Sequence, residues 1–309
     1  MFTQSELTRL ILQDKSVGNA PEICDVCRQR SLGCPTCNML AKPTSLKDLR
    51  EIELVKKNIH FDKKIGMVTC EYVPTFSEWN KLFPPHLSNH HQAQRIAASL
   101  LKSLKKDGDL KDFDATFRKY IEEGIIRELS KQEMEHWEQQ GNCVNYISFN
   151  AVRKEGLTEG RQKVRIITNS SLNRTAVVEG NEVQASLNSL LPQASPVFNP
   201  IEEVAMRWLA FPVSVLLDIQ KAYSQLHARP GHDQMLHLRR MAWYKDPMSE
   251  VPQAATYCLT RAHYGDSVSS ALLSATIARV TDDMKEDSGT SPESAEKILL
   301  TNFVDDQIA

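Results

Sequence analysis

The sequence predicts an α+β protein, and three observations carry that expectation. From Ser45 to about Glu135, charged residues interleave with apolar ones at three- and four-residue spacing, the period of amphipathic helices. After Gly141 the texture changes to short apolar runs divided by turn residues, which read as strands. Helical stretches then return among the strands, and no repeat of fixed period organises the 309 residues.

Two helical stretches are clearest. In HHQAQRIAASLLKSLKK, Ile96, Leu100, Leu101 and Leu104 share a face opposite Arg95, Lys102, Lys105 and Lys106. In LKDFDATFRKYIEEGIIREL, Phe113, Phe117, Tyr120, Ile121 and Ile125 repeat the arrangement, with Gly124 interrupting it. The lysine-rich face reads as solvated surface, with phosphate contact as its alternative. NYISFNAV and KVRIITNSS follow as strands, then a polar segment from Asn173 to Gln184 and a proline-punctuated stretch at SLLPQASPVFNP. IEEVAMRWLA reads as a helix, VSVLLDI as a buried strand, SSALLSATIARVTDDMKE as containing a helix and DSGTSPES as a loop, and AEKILLTNFVDD ends in a strand. The chain thus divides into a Cys-rich segment (1–44), a mostly helical region (45–140) and a mixed region (141–309).

Composition narrows the class. Hydrophobic residues at 41%, charged residues at 25% and 12 Gly with 14 Pro argue against collagen-like, disordered or disulfide-dense proteins. The longest uncharged apolar candidate, Trp208 to Leu217, is short of a membrane span and contains Pro212, so no membrane partner is expected. MFTQSELTRLIL lacks a basic start before an apolar run, which leaves an intracellular, cytoplasmic protein as the expectation. With 37 Lys plus Arg against 39 Asp plus Glu, any nucleic-acid binding must use a local basic groove rather than a global excess.

Cys24, Cys27, Cys34 and Cys37 form a C-x2-C-x6-C-x2-C cluster. Two C-x2-C pairs suit one tetrahedral Zn²⁺, whose soft thiolate ligands lie about 2.3 Å away, and Gly33 with Pro35 supplies a bend between them. Four reduced thiols in a loop is the other reading. Cys70, Cys143 and Cys258 read as small buried hydrophobes.

Acids stand where two apolar runs end. Val213 to Leu217 delivers Asp218, and Ile298 to Val304 delivers Asp305 and Asp306 to a hairpin tip. Adjacent acids repel, an arrangement tolerated at the surface or around a cation. If both ends meet, three carboxylates make a hard oxygen site for Mg²⁺, and two such ions about 3.5–4 Å apart serve phosphoryl transfer. Taken singly, Asp218 reads as a helix cap and the Asp305–Asp306 pair as a polar turn; their joint presence with the motifs that follow favours the metal site.

The order AVRK, RIITNSS, SLNSLL, DIQKAY, YGDSVS and FVDD, behind the cluster Cys24 to Cys37, resembles a reverse transcriptase. More closely, it is similar to the polymerase part of a BEL/Pao-type retrotransposon polyprotein, over roughly residues 20 to 309. The resemblance implies fingers and palm elements of an RNA-directed DNA polymerase, with Asp218, Asp305 and Asp306 as catalytic ligands of two Mg²⁺ ions. It implies that Lys154 and Arg165 hold the triphosphate of a dNTP, that Tyr223 is the aromatic gate favouring dNTPs, and that Gly265 lets backbone approach nucleotide and template. An RNA or DNA template-primer and the remainder of a polyprotein are the implied partners, with virus-like particles as a possible setting. Ser270 stands where the family often has proline, and Asn150 where it often has histidine. Because the sequence ends three residues after Asp306, the expectation is a fragment, weakly active or inactive alone, since thumb and later palm elements would follow.

Two rivals differ in class. One is a non-catalytic nucleic-acid-binding or protein-binding remnant of such an element, using the Cys cluster and Lys-rich helices. The other is an unrelated Mg²⁺ phosphotransferase, which calls for a phosphate-cradling Gly-rich loop that the 12 scattered glycines do not form.

Overall fold

The computed structural model describes residues 46–62, 64, 66–71, 82–154, 163–192, 204, 216–286, 289, 291, 302–303 and 306–308. The architecture is mixed α and β, with helices packed against small sheets. Helix α1 (Leu46–Lys57) leads into strands β1 (Ile59–Asp62) and β2 (Met67–Cys70). The two long helices read from sequence follow as α2 (His90–Asp107) and α3 (Leu110–Glu122). Helix α2 buries Ala93, Ala97, Leu100, Leu101 and Leu104 and leaves Arg95, Lys102, Lys105 and Lys106 exposed, as its spacing requires. It ends at Gly108, whose left-handed backbone donates its N–H to the Leu104 carbonyl.

The helical reading fails in three places between Ser45 and Glu135. Strands β1 and β2 interrupt it, and Ile126–Glu128 forms β3 instead of continuing α3. The cause in the third case is local. Gly124 takes a φ of +67°, which turns the chain out of the helix, and Ile125 and Ile126 are β-branched residues that bury well in an extended strand. Helix α4 (Lys131–Gln139) then starts at a reciprocal cap, in which Ser130 Oγ accepts from the Glu133 N–H and the Glu133 carboxylate accepts from the Ser130 N–H.

Strands β4 (Ser148–Lys154) and β5 (Lys163–Asn169) form an antiparallel pair. The segment read as merely polar from Asn173 to Gln184 is a hairpin, β6 (Arg174–Val178) and β7 (Asn181–Ala185), closed by Glu179 and Gly180 at φ +50° and +79°. Two successive positive-φ residues match the strand twist, and the buried Arg174 on the inner face with Val177 on the outer face of β6 breaks the apolar–polar alternation. After a short helix α5 (Leu187–Leu190) come β8 (Leu216–Asp218), a 3₁₀ turn at Ala222–Gln225 and β9 (Leu226–Ala228). Helix α6 (Gln234–His237), strands β10 (Arg240–Tyr244) and β11 (Ala254–Leu259) and helix α7 (Ser269–Lys285) complete the core, and a terminal hairpin pairs β12 (Asn302–Phe303) with β13 (Asp306–Ile308).

Three sheets join distant segments: β1-β2-β9, β10-β11-β3 and β12-β13-β8. The parallel β2–β9 pair and the β3–β11 pair link strands on either side of residue 141. Between the elements lies one apolar core, with Phe113, Phe117, Phe149, Trp243 and Tyr257 at its centre and ring centroids 5.0–6.3 Å apart. Cys70 and Cys143 are buried in it, and Cys258 is buried as well, all three as free thiols, as read from sequence. Among the described residues no helix is long and apolar enough to cross a membrane.

Candidate functional site

Two of the three candidate acids are brought together by backbone pairing. β13 runs antiparallel to β8 with Asp306 opposite Asp218, Gln307 opposite Leu217 and Ile308 opposite Leu216. Directly opposed residues of an antiparallel pair have Cα atoms about 4.5–5.5 Å apart. In the terminal hairpin Asn302 pairs with Gln307 and Phe303 with Asp306. Asp305 itself lies outside the described residues, as do Cys24, Cys27, Cys34 and Cys37. Among the described residues no group of three His, Cys, Asp or Glu side chains is placed to hold a metal ion. For Asp218 and Asp306 the placement is one of backbone register, and their carboxylate oxygens supply hard donors of the kind Mg²⁺ takes.

Five residues beyond Asp218, Tyr223 sits in the 3₁₀ turn with 8% of its surface exposed. Its hydroxyl lies 3.0 Å from Ser270 Oγ, and its ring meets Tyr264 edge to face at 4.6 Å. Ser270 therefore has a use that a proline at that position would not fill. Tyr264 is more than half exposed, and of the two aromatics it is the one that solvent or a ligand reaches.

The loop carrying Gly265 is fastened to the end of β5. Gly265 has a φ of +107°, and a Cβ there would overlap the carbonyl oxygen of Thr168. Thr168 Oγ1 donates to the Tyr264 carbonyl at 2.6 Å and lies 3.0 Å from Nδ1 of His263. Burial holds the His263 imidazole below its ordinary pKa. Asn188, in the SLN run, donates to the Gly265 carbonyl at 2.7 Å and to Ser171 Oγ at 2.9 Å, and its own Oδ1 accepts from the Ser267 N–H at 2.9 Å. Beneath the loop, Asp266 pairs with Arg239 at 3.2 Å with both side chains fully buried, and Ser170 Oγ donates to the other Asp266 oxygen. Arg239 also donates to the carbonyls of Arg261, Leu259 and Met235, so the desolvated guanidinium is well satisfied.

The two candidate phosphate ligands stand on the β4–β5 pair. Arg165 is exposed on β5 opposite Val152, with no ion-pair partner among the described residues. Tyr120 lies within reach of the fields of Arg165 and Lys221, although burial, the larger influence, raises the Tyr120 pKa. Lys154 closes β4 opposite Lys163. The neighbouring Arg153 lies 2.5 Å from Asp109 Oδ2 and donates to the Asp107 carbonyl.

Sequence reasoning had not singled out Tyr264, Asn188, Thr168, Arg239 or Asp266. Tyr264 and Asp266 lay inside the YGDSVS run and Asn188 inside SLNSLL, so their presence was visible and their contacts were not. Arg239 and Arg240, two adjacent arginines amid the apolar LHLRRMAW, were the one signal of buried charge. No family model and no curated protein matches this chain.

Proposed function

We propose that this chain carries the nucleotidyl-transfer site of an RNA-directed DNA polymerase of the BEL/Pao reverse-transcriptase type. The observation that supports it is the Asp306–Asp218 register. Like charges set directly opposite on a sheet are unfavourable, and a bound divalent cation reverses the sign of that contribution. Asp218 and Asp306, joined by Asp305, would hold two Mg²⁺ ions, which when bound neutralise charge on the attacking and leaving oxygens of phosphoryl transfer.

The other groups position the reactants. Arg165 offers a planar guanidinium fork to the triphosphate of a dNTP, and Lys154 a point charge. Gly265, held by Asn188 and Thr168, would present backbone rather than side chain to nucleotide and template. Tyr223, braced by Ser270 and Tyr264, would serve as the aromatic gate against a ribose 2′-hydroxyl, behind the more exposed Tyr264 ring. Contacts to template and primer go to phosphate and sugar, so little sequence preference is implied.

The test is a Mn²⁺ titration of the purified chain followed by electron paramagnetic resonance, with and without dTTP. Metal binding that strengthens with dTTP and drops at least tenfold in Asp218→Asn supports the reading. Mn²⁺ binding that Asp218→Asn and Asp306→Asn leave unchanged would remove the carboxylates from the site. Primer extension on poly-rA with oligo-dT then asks whether the chain turns over.

A further inference from the structure

We infer that the cleft between α2 and β10, together with the cationic face of α2, binds single-stranded nucleic acid outside the candidate active site. The cleft has a volume of about 340 Å³, at the small end for ligand sites and suited to one base rather than a whole cofactor. His91 and Arg95 stand at its helical side with Ala98, while Ala242, Tyr244 and Ala254 come from the sheet. Alanines leave the space open, and the half-buried Tyr244 supplies an aromatic surface for a base.

The cations continue from the cleft along the helix. On α2 the buried face is Ala93, Ala97, Leu100, Leu101 and Leu104, so at 100° per residue His91, Arg95, Lys102 and Lys106 fall in one stripe on the opposite side. Arg95 and Lys106 are about 16 Å apart along the axis, and Lys102 and Lys106 about 6 Å. All are exposed, and among the described residues neither Arg95, Lys102, Lys105 nor Lys106 has a carboxylate partner, unlike Lys56, Arg127 and Lys131. A linear row of unneutralised charge complements a linear polyanion, and a base-sized aromatic cleft at one end of that row distinguishes a polynucleotide from an acidic peptide. None of these residues belongs to the candidate active site, so the inference does not depend on the polymerase reading.

The experiment measures binding of the full chain to a fluorescein-labelled oligo-dT by anisotropy across a KCl series, with an abasic oligonucleotide of equal length and poly-L-glutamate as competitors. Arg95→Ala is expected to weaken binding about tenfold. Lys102→Ala with Lys106→Ala should lower the slope of log affinity against log salt by about 1.4, at about 0.7 per lost phosphate contact. The exposed control Lys131→Ala should change neither. Ala98→Met, which fills the cleft, should abolish the preference for oligo-dT over the abasic strand while leaving the salt slope intact. Wild-type affinity in the Arg95 and Lys102/Lys106 variants overturns the inference, as does displacement by poly-L-glutamate as effective as by oligo-dT. Equal affinity of the wild-type chain for oligo-dT and the abasic strand overturns the assignment of the cleft.

Discussion

Replacing Gly265 with alanine puts two separable costs on one atom. The backbone at φ +107° is one that L residues rarely adopt, which costs about 1–3 kcal/mol. The added methyl also overlaps the Thr168 carbonyl oxygen and comes within 3.1 Å of the Thr168 carbonyl carbon and Oγ1. Thr168 is backbone-paired to Phe149 in the β4–β5 ladder, so it cannot swing aside as a flexible side chain would. Forcing that contact open costs a further 1–3 kcal/mol or so, as overpacking does elsewhere. The total, about 4 kcal/mol, corresponds to a fall in Tm of roughly 6 °C for a chain of 309 residues. Gly231→Ala is the matched control, because Gly231 has a φ of +80° and nothing within 4 Å of the added methyl, so it carries the backbone cost alone. Thermal unfolding followed by far-UV circular dichroism compares the two variants. Melting points for Gly265→Ala and Gly231→Ala within about 1 °C of each other would refute the claimed approach of the loop to β5, since one overpacked contact is worth more than that.

Three further outcomes are expected. Arg239→Met should destabilise the chain by about 3–5 kcal/mol in urea unfolding, because it strands the buried Asp266 carboxylate, and adding Asp266→Asn should restore part of the loss. His237 is buried, stacks on Trp137 at 4.4 Å and accepts from Arg240 through Nδ1, so burial first and the Arg240 charge second press its pKa from 6.5 to about 3. The unfolded chain therefore binds this proton more readily, so stability due to His237 is complete above about pH 6.5 and is lost as pH falls toward 3; His237→Gln should flatten urea midpoints over that range. Burial drives the thiols of Cys70, Cys143 and Cys258 up to about 12, 11 and 11, so mass spectrometry should find them unmodified by iodoacetamide in the native chain and labelled after denaturation.

Helices α2, α3 and α7 were legible because each repeats its apolar residues at helical spacing over three or more turns. Strands β4 and β5 were legible because NYISFNAV and KVRIITNSS are short apolar runs set between turn residues. The β6–β7 hairpin, β9, β10 and β11 were not, because their short runs carry a period-two signal too brief to separate from turn or buried helix. In the candidate site, residue types at Asp218, Asp306, Tyr223 and Gly265 stood out along the chain, but nothing local to Asp218 indicates that residue 306 lies opposite it.

What the sequence determined by itself was therefore the set of chemical groups and the periodic elements that bear them. The α+β class, the amphipathic faces, the buried lone cysteines and the acids at the ends of apolar runs all follow from local spacing and side-chain chemistry. Only the tertiary structure decided which of those groups meet: the register of β8 with β13, the fastening of the Gly265 loop by Asn188 and Thr168, and the buried Arg239–Asp266 pair. The physical reason is that pairing between segments far apart in sequence is selected by the fit of the whole core and by the need to satisfy every buried polar group, neither of which a short window contains.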